Sequence, residues 1–305
     1  MGRVEIRVAD LTPDSDDTRS CIDLFYEASN DLHERHGYPT EDPGEGPWLS
    51  EALAHLGETD PQRTVIASEA GADIAFATAY VRGGLWFLSF LFVRPAAQGQ
   101  GVGRRLVERL LPREWGGMEL ATMVESFQPA STMLYASFGI APRVPRYPFK
   151  GVKRLDVFPP LPDGVRCAEA DGSHEEAVGK LDRELLGYAR PQDHAMWRRG
   201  SQAARMYLGE ADELLGYGYL GSDGFVSPVA ARSEVLTAAI LGDLLSVLVD
   251  PMSAVTAIAG SSAVLLEIAL QAGMRVTGPD DYPLIYCSTG RVPPPGYIAY
   301  AGYLI

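Results

Sequence analysis

Hydrophobic and polar positions along this chain follow two periods. The run LWFLSFLFV (85–93) is almost wholly apolar and predicts a strand covered on both faces. Soon after it, GRRLVERLLP places apolar residues at helical spacing and ends at a proline, which predicts a helix. Near the start, VEIRVADLTPD predicts a short strand, an acidic turn and then a helix. TVIASEAGADIAFATAY (64–80) predicts two strands joined by an acidic, small-residue turn. MELATMVES predicts a further strand, and STMLYASFGI a helix closed by Gly139.

The same succession returns in the second half. GVRCAEADGSH (164–174) repeats the opening strand and helix start, and RMYLGEADELLGYGYL (205–220) repeats the pair of strands. FVSPVAARSEVLTAAILGDLL gives strand, proline and helix again, and LLEIALQAGM closes on Gly273. Four matches in one order predict two copies of one α/β unit. Between them lies APRVPRYPFKGVKRLDVFPPLPDG, whose prolines predict strand edges and a linker, with FPPLPDG as the boundary. The first copy is expected over residues 1–158 and the second over 165–305. The aromatic runs YGYLGSDGF and GYIAYAGYLI of the second copy read as core strands.

Composition narrows the class. A length of 305 residues fits two domains, and 46% hydrophobic with 22% charged residues describes a soluble globular protein. The net charge of −14 argues against nucleic acid or an anionic membrane as partner; it reads equally as a solubility feature or as suited to a cationic small-molecule substrate. Cys21, Cys167 and Cys287 form neither a disulfide framework nor a zinc pattern, and each is expected to be a buried small hydrophobe. The start has no apolar signal region, no stretch reaches a membrane span, and Ile6 stands where myristoylation needs serine or threonine. The reading is a cytoplasmic protein.

The candidate chemistry sits between the first strong strand and its helix, in VRPAAQGQGVGRRL, where Gly99, Gly101 and Gly103 alternate. A strand-to-helix turn aims backbone N–H groups and the positive end of a helix dipole at one point, where an anion binds. Missing side chains let the ligand approach the backbone. GQGVG is too short for a dinucleotide fingerprint, and no Gly-Lys-Ser/Thr follows to make a Walker loop.

Q98-G-Q-G-V-G103 resembles the Gln/Arg-x-x-Gly-x-Gly/Ala signature of the GCN5-related N-acetyltransferases (GNAT). The flanking FVRPAA and RRLVERLL resemble that family's strand, proline and helix. STMLYASFGI resembles its downstream helix, with Leu-Tyr ahead of Phe-Gly. The resemblance covers about residues 64–140. It implies an α/β (α+β) class with two tandem GNAT-like domains, each a mixed, mostly antiparallel twisted sheet flanked by helices. It also implies acetyl-CoA as co-substrate and N-acetyl transfer to an amine.

Site roles follow from the same resemblance. Leu91, Phe92 and Val93 would offer backbone groups to the pantetheine and the carbonyl. The N–H groups of Gln98, Gly99, Gln100, Gly101, Val102, Gly103 and Arg104 would hold the pyrophosphate. Tyr135 would protonate the departing sulfur. At the start of its helix the family often has asparagine; here Gln128, a proline and Ser131 stand there, and Ser131 is the expected cofactor-side contact and cap. LSFLFV lacks the acidic residue that many members use as base, and Glu125 is the nearest candidate by order. Asp31, His33, Glu34 and His36 belong to the element that borders the acceptor pocket in that family, yet read as solvated helix-end residues. His33 and His36 share a helix face, but no ligand cluster joins them to make a metal site.

The second copy has SPVAARSEVLTAAI at the turn and Ala269 at the tyrosine, so it is expected to have lost the chemistry. Three roles remain open to it: shaping the acceptor site, completing a sheet edge, or forming a homodimer interface. The alternative reading of the whole chain is a non-catalytic CoA-binding or regulatory module.

Overall fold

The structure is a computed structural model that describes residues 3–42, 47–112, 116–276, 278 and 282–305. Its elements run β1 (Val4–Val8), α1 (Asp16–His36), α2 (Trp48–Thr59), β2 (Thr64–Glu69), β3 (Ala72–Arg82), β4 (Leu85–Val93), α3 (Val102–Leu110), β5 (Glu119–Glu125), α4 (Pro129–Ala136) and β6 (Ala141–Lys150). The series then starts again: β7 (Arg166–Glu169), α5 (Glu175–Leu185), α6 (Pro191–Gly200), β8 (Ser201–Leu208), β9 (Leu214–Gly221), β10 (Val226–Ala231), α7 (Glu234–Leu245), β11 (Val255–Ala259), α8 (Ala263–Gln271) and β12 (Leu284–Ser288). Strand and helix follow in the same order twice, as the internal repeat predicted.

Compact units do not coincide with the copies. One unit comprises Met1–Val81 and Leu85–Thr122; the other comprises Arg82–Gly84 and Met123–Ile305. The division falls inside β5, so α4 and β6, which the repeat assigns to the first copy, belong to the second unit.

In the first unit the strand order is β1-β2-β3-β4-β5. β1 and β2 pair antiparallel, as do β2 and β3, whereas β4 and β5 are parallel. The β2–β3 turn uses positive φ at Ala70 and Gly71, the geometry that matches the twist of a hairpin. α1 starts cleanly because Ser15 Oγ accepts from Thr18 N and two aspartates open its first turn. It ends at Gly37 in the left-handed conformation. Phe25 of α1 meets Phe92 and Phe90 of β4, with ring centroids 4.6 and 6.3 Å apart. α3 buries Val102, Leu106, Val107 and Leu110, the stripe its spacing predicted.

In the second unit β10-β9-β8-β7 form an antiparallel sheet, and β6 lies between β12 and β11. β12 covers residues 141–146 of β6, and β11 covers 146–150. Each half of β6 thus has one paired side in these registers, a setting in which its three prolines are tolerated. The core gathers Phe149, Val229, Ile240, Leu244, Leu265 and Ile298.

Two segments depart from the sequence expectations. Cys167 is exposed, because β7 is the outer strand of its sheet, while Cys21 and Cys287 are buried. GYIAYAGYLI forms no strand; its residues are largely buried and make one isolated bridge, at Ile298. Among the described residues no helix is long and apolar enough to cross a membrane, and no cluster of three His, Cys, Asp or Glu could hold a metal.

Candidate active site

β4 and β5 pair only from Leu85↔Glu119 to Leu88↔Thr122. At that point Thr122 Oγ1 donates to Leu88 O at 2.8 Å, and β4 runs on through Ser89–Val93. Leu91, Phe92 and Val93 are half-buried, unlike the fully covered Leu85–Leu88. Ser89, which sequence reasoning missed, carries a buried hydroxyl that has no hydrogen-bond partner among the described residues.

The turn beyond β4 is held from within. Pro95–Ala97 make one 3-10 turn, Gln98 Nε2 donates to Val93 O at 3.0 Å, and Gln100 Nε2 donates to Ala96 O at 2.9 Å. Gln98 N donates to Pro95 O at 3.2 Å, so its N–H is engaged within this turn. Gly99 and Gly101 have φ of 74° and 79°, where a β-carbon is strained. A Cβ on either would meet nothing within 4 Å, so backbone conformation alone demands glycine there, and open space faces the turn. Gly103 lies inside α3 and is not among the positive-φ glycines.

Gly101 caps α3 without a side-chain hydrogen bond. The first helical bond runs from Arg105 N to Gly101 O, and the N–H groups ahead of it form the uncapped positive end of the helix. Arg105 also reaches Val4 O through Nη2 at 2.9 Å. An anion such as a pyrophosphate fits this arrangement: left-handed glycines, open space and an uncapped helix start within a few residues.

Tyr135 and Glu125 lie in the second unit. Tyr135 is 5% exposed on α4. Burial pushes its phenol pKa well above the ordinary value, and the nearby Glu125 carboxylate adds to the rise; a hydrogen bond with Ser131 works against both. The phenol therefore keeps its proton throughout the neutral range. Ser131 does not cap the helix. Gln128 is the cap residue, without a side-chain bond, and Ser131 lies one turn before Tyr135. Gly139, with φ of 83°, ends the element as predicted and lets Ile140 N return to Tyr135 O. Glu125 ends β5 and is half-buried.

Of the α1 group, His33 is buried rather than solvated, its Nδ1 3.0 Å from Pro39 O. His36 Nδ1 lies 2.9 Å from Leu32 O, and Asp31 pairs with Arg35.

The second copy repeats the local design and fills it with its own chain. Phe225, just ahead of β10, makes a parallel bridge with Val255 of β11, and Thr256 Oγ1 donates to Val226 O at 3.1 Å, the counterpart of Thr122 and Leu88. Past that point Val229 pairs with Ile298, each N–H donating to the other's carbonyl at 2.9 Å. Arg146 Nη2 donates to both Tyr297 O and Ala257 O. Ser233 Oγ accepts from Leu236 N, so a side chain caps α7 where the first copy offers glycine. Gly296 lies against the first turn of α7, where an added Cβ would come within 3.0 Å of Glu234 Cγ. Both the helix end and the space beside β10 are thus taken up by protein groups.

Sequence reasoning also missed a buried charge cluster in the second unit, to which Arg82 at the end of β3 belongs. Asp182, Arg190 and Asp193 are 0% exposed, Arg82 1% and His194 3%. Arg190 Nε donates to Asp182 Oδ2 at 3.0 Å, Tyr217 Oη donates to Asp182 Oδ1 at 2.5 Å, and His194 Nε2 lies 2.8 Å from Asp182 Oδ2. Arg82 grips Asp193 with two bonds of 2.8 and 2.9 Å.

Residues 60–139 match a family model described as an acetyltransferase (GNAT) domain. Among the curated proteins none matches this sequence. A Pyrococcus horikoshii structure assigned as an acetyltransferase superposes with a TM-score of 0.71 at 16% identity, covering 99% of this chain and 95% of that one. A tandem GNAT protein from the clavulanic acid biosynthesis pathway gives 0.59 at 16% identity, covering 95% and 100%. A GCN5-related N-acetyltransferase from Sphaerobacter thermophilus gives 0.59 at 14% identity, covering 93% and 95%. At these identities the likeness is one of fold, and it extends over both copies.

Proposed function

We propose that this two-copy chain of GNAT fold, with its acetyltransferase domain at residues 60–139, is an acetyl-CoA-dependent N-acetyltransferase acting on the amine of a small cationic molecule. The observation that carries the reading is the turn at Gly99–Gly101, left-handed and glycine-built, leading into an uncapped α3 inside the matched segment. Acetyl-CoA supplies an activated acetyl thioester. The N–H groups from Gly99 to Arg104 hold its pyrophosphate, and Leu91–Val93 offer backbone groups to its arm. Tyr135 keeps a proton for the leaving sulfur, since burial and Glu125 oppose ionisation. Glu125 accepts the proton that an ammonium must lose before its nitrogen can attack. The net charge of −14 favours an acceptor that arrives as a cation.

Thermal unfolding of wild type and Gly101→Glu with and without acetyl-CoA tests the reading. Ligand at about 100 times its dissociation constant adds roughly 2.7 kcal/mol to the folded state, enough to raise the midpoint by a few degrees. The substitution puts a carboxylate and a strained β-carbon at φ 79°, so its shift is expected to vanish. An equal shift in both proteins would place the cofactor elsewhere.

A further inference from the structure

The strand beside the proposed acid and base comes from the other end of the chain. β12, the last strand of the second copy, pairs antiparallel with β6 from Leu284↔Arg146 to Ser288↔Ala141. Just ahead of it, Ser126 N, one residue past Glu125, donates to Pro283 O at 3.0 Å. The Tyr282 ring meets Phe127 edge to face, with centroids 4.8 Å apart and planes at 87°. Farther along, Cys287 is close enough to Tyr135 to bear on its ionisation, and Thr289 Cγ2 lies 3.7 Å from where Gly139 would carry a Cβ. β12 and its flanks therefore run past Phe127, Glu125 and Tyr135 in turn.

We propose that the second copy completes the reaction site of the first, and that Tyr282, with Phe127, forms a wall that selects an alkylammonium acceptor. This inference rests on the acetyltransferase reading above. Both rings are half-buried, which leaves part of each open. An aromatic ring attracts a cation to its face, and Glu125, two residues from Phe127, adds negative charge at the same end of the strand. The ammonium loses one proton to Glu125, and the free amine forms the C–N bond as the C–S bond breaks. The sulfur takes the Tyr135 proton, Tyr135 recovers the second nitrogen proton, and one proton leaves to solvent. Tyr282 takes no part in these transfers; it sets which amine is held. The role also accounts for a second copy that retains a strand beside Tyr135 after losing its own glycine turn.

The test is steady-state CoA release with putrescine and phenethylamine as probes, on wild type, Tyr282→Leu, Tyr282→Ala and Tyr282→Phe. Leucine keeps the apolar packing and removes the ring, so it serves even where alanine loosens the strand. KM for the amine is expected to rise about tenfold in the Leu and Ala variants and to stay near wild type in Phe, with the acetyl-CoA KM unchanged. An unchanged amine KM in Tyr282→Leu overturns the proposal, and so does an equal rise in the KM of acetyl-CoA. Wild type that binds acetyl-CoA in calorimetry but acetylates neither amine overturns the acceptor class and leaves the cofactor reading standing. Absence of acetyl-CoA binding removes both.

Discussion

Tyr135→Phe is expected to lower turnover by about 10² to 10⁴ while acetyl-CoA binding persists. The phenol is buried on α4, and burial together with the Glu125 carboxylate keeps it protonated, which suits a donor to a departing thiolate. Phenylalanine keeps the ring and its packing and removes only the exchangeable proton. Because the phenol pKa is raised, wild-type rates between about pH 6 and 9 should show no decline from ionisation of this group. Rates and calorimetric binding measured on the same two proteins separate the outcomes. Unchanged turnover would take the acid role from Tyr135. Binding without turnover in the wild type would favour a CoA-binding module over an enzyme.

The largest stability effect is expected at Asp182. Asp182→Ala leaves Arg190 charged and unpaired at 0% exposure, and breaking a buried pair in this way costs about 3–5 kcal/mol. Against a typical total of about 5–15 kcal/mol, that is a large fraction. The same cluster sets a pH dependence. Burial opposes ionisation of Asp182, but the charge of Arg190 and the bonds from His194 and Tyr217 outweigh it and hold the pKa down to about 2. The folded state thus binds that proton less readily than the unfolded chain does. Its contribution is present above about pH 4 and is lost as pH falls toward 2. His194 acts in the same sense: burial lowers its pKa, so the unfolded chain takes up its proton first as acid is added. Denaturant unfolding at neutral and acid pH should show wild type losing stability on the acid side. In Asp182→Ala the midpoint should be low throughout, with a shallower acid loss. A cost under about 1 kcal/mol at neutral pH would show that the Asp182–Arg190 pair contributes little to the folded state.

Local pattern carried most of the fold to the surface of the sequence. β4, α3 and the hairpin of β2 and β3 were legible because apolar spacing changes period within a few residues there, and the repeat was legible because both copies keep one order of elements. Gly99 and Gly101 were legible because a left-handed backbone admits few other residues, and the structure gives both a positive φ. What escaped depends on pairing between distant segments. Nothing within LIYCS says that it lies beside β6, and nothing in GYIAY says that Ile298 pairs with Val229. Aromatic content predicted a strand for that tail, but the segment follows a proline run and, among the described residues, makes one bridge. Asp182, Arg190 and His194 escaped for the same reason. Asp182 on α5, Arg190 just ahead of α6 and His194 on it resemble solvated helix residues, and the return of Tyr217 and Tyr297 closes a polar cluster around them.

In the proposed function one copy receives acetyl-CoA and the other is closed to it. The first has open glycines before α3; the second has Ser233 capping α7 and Ile298 paired to β10. Calorimetric titration of the full chain with acetyl-CoA tests this directly through stoichiometry. One equivalent per chain is expected. Two equivalents would contradict the closed second copy, and none would contradict the first.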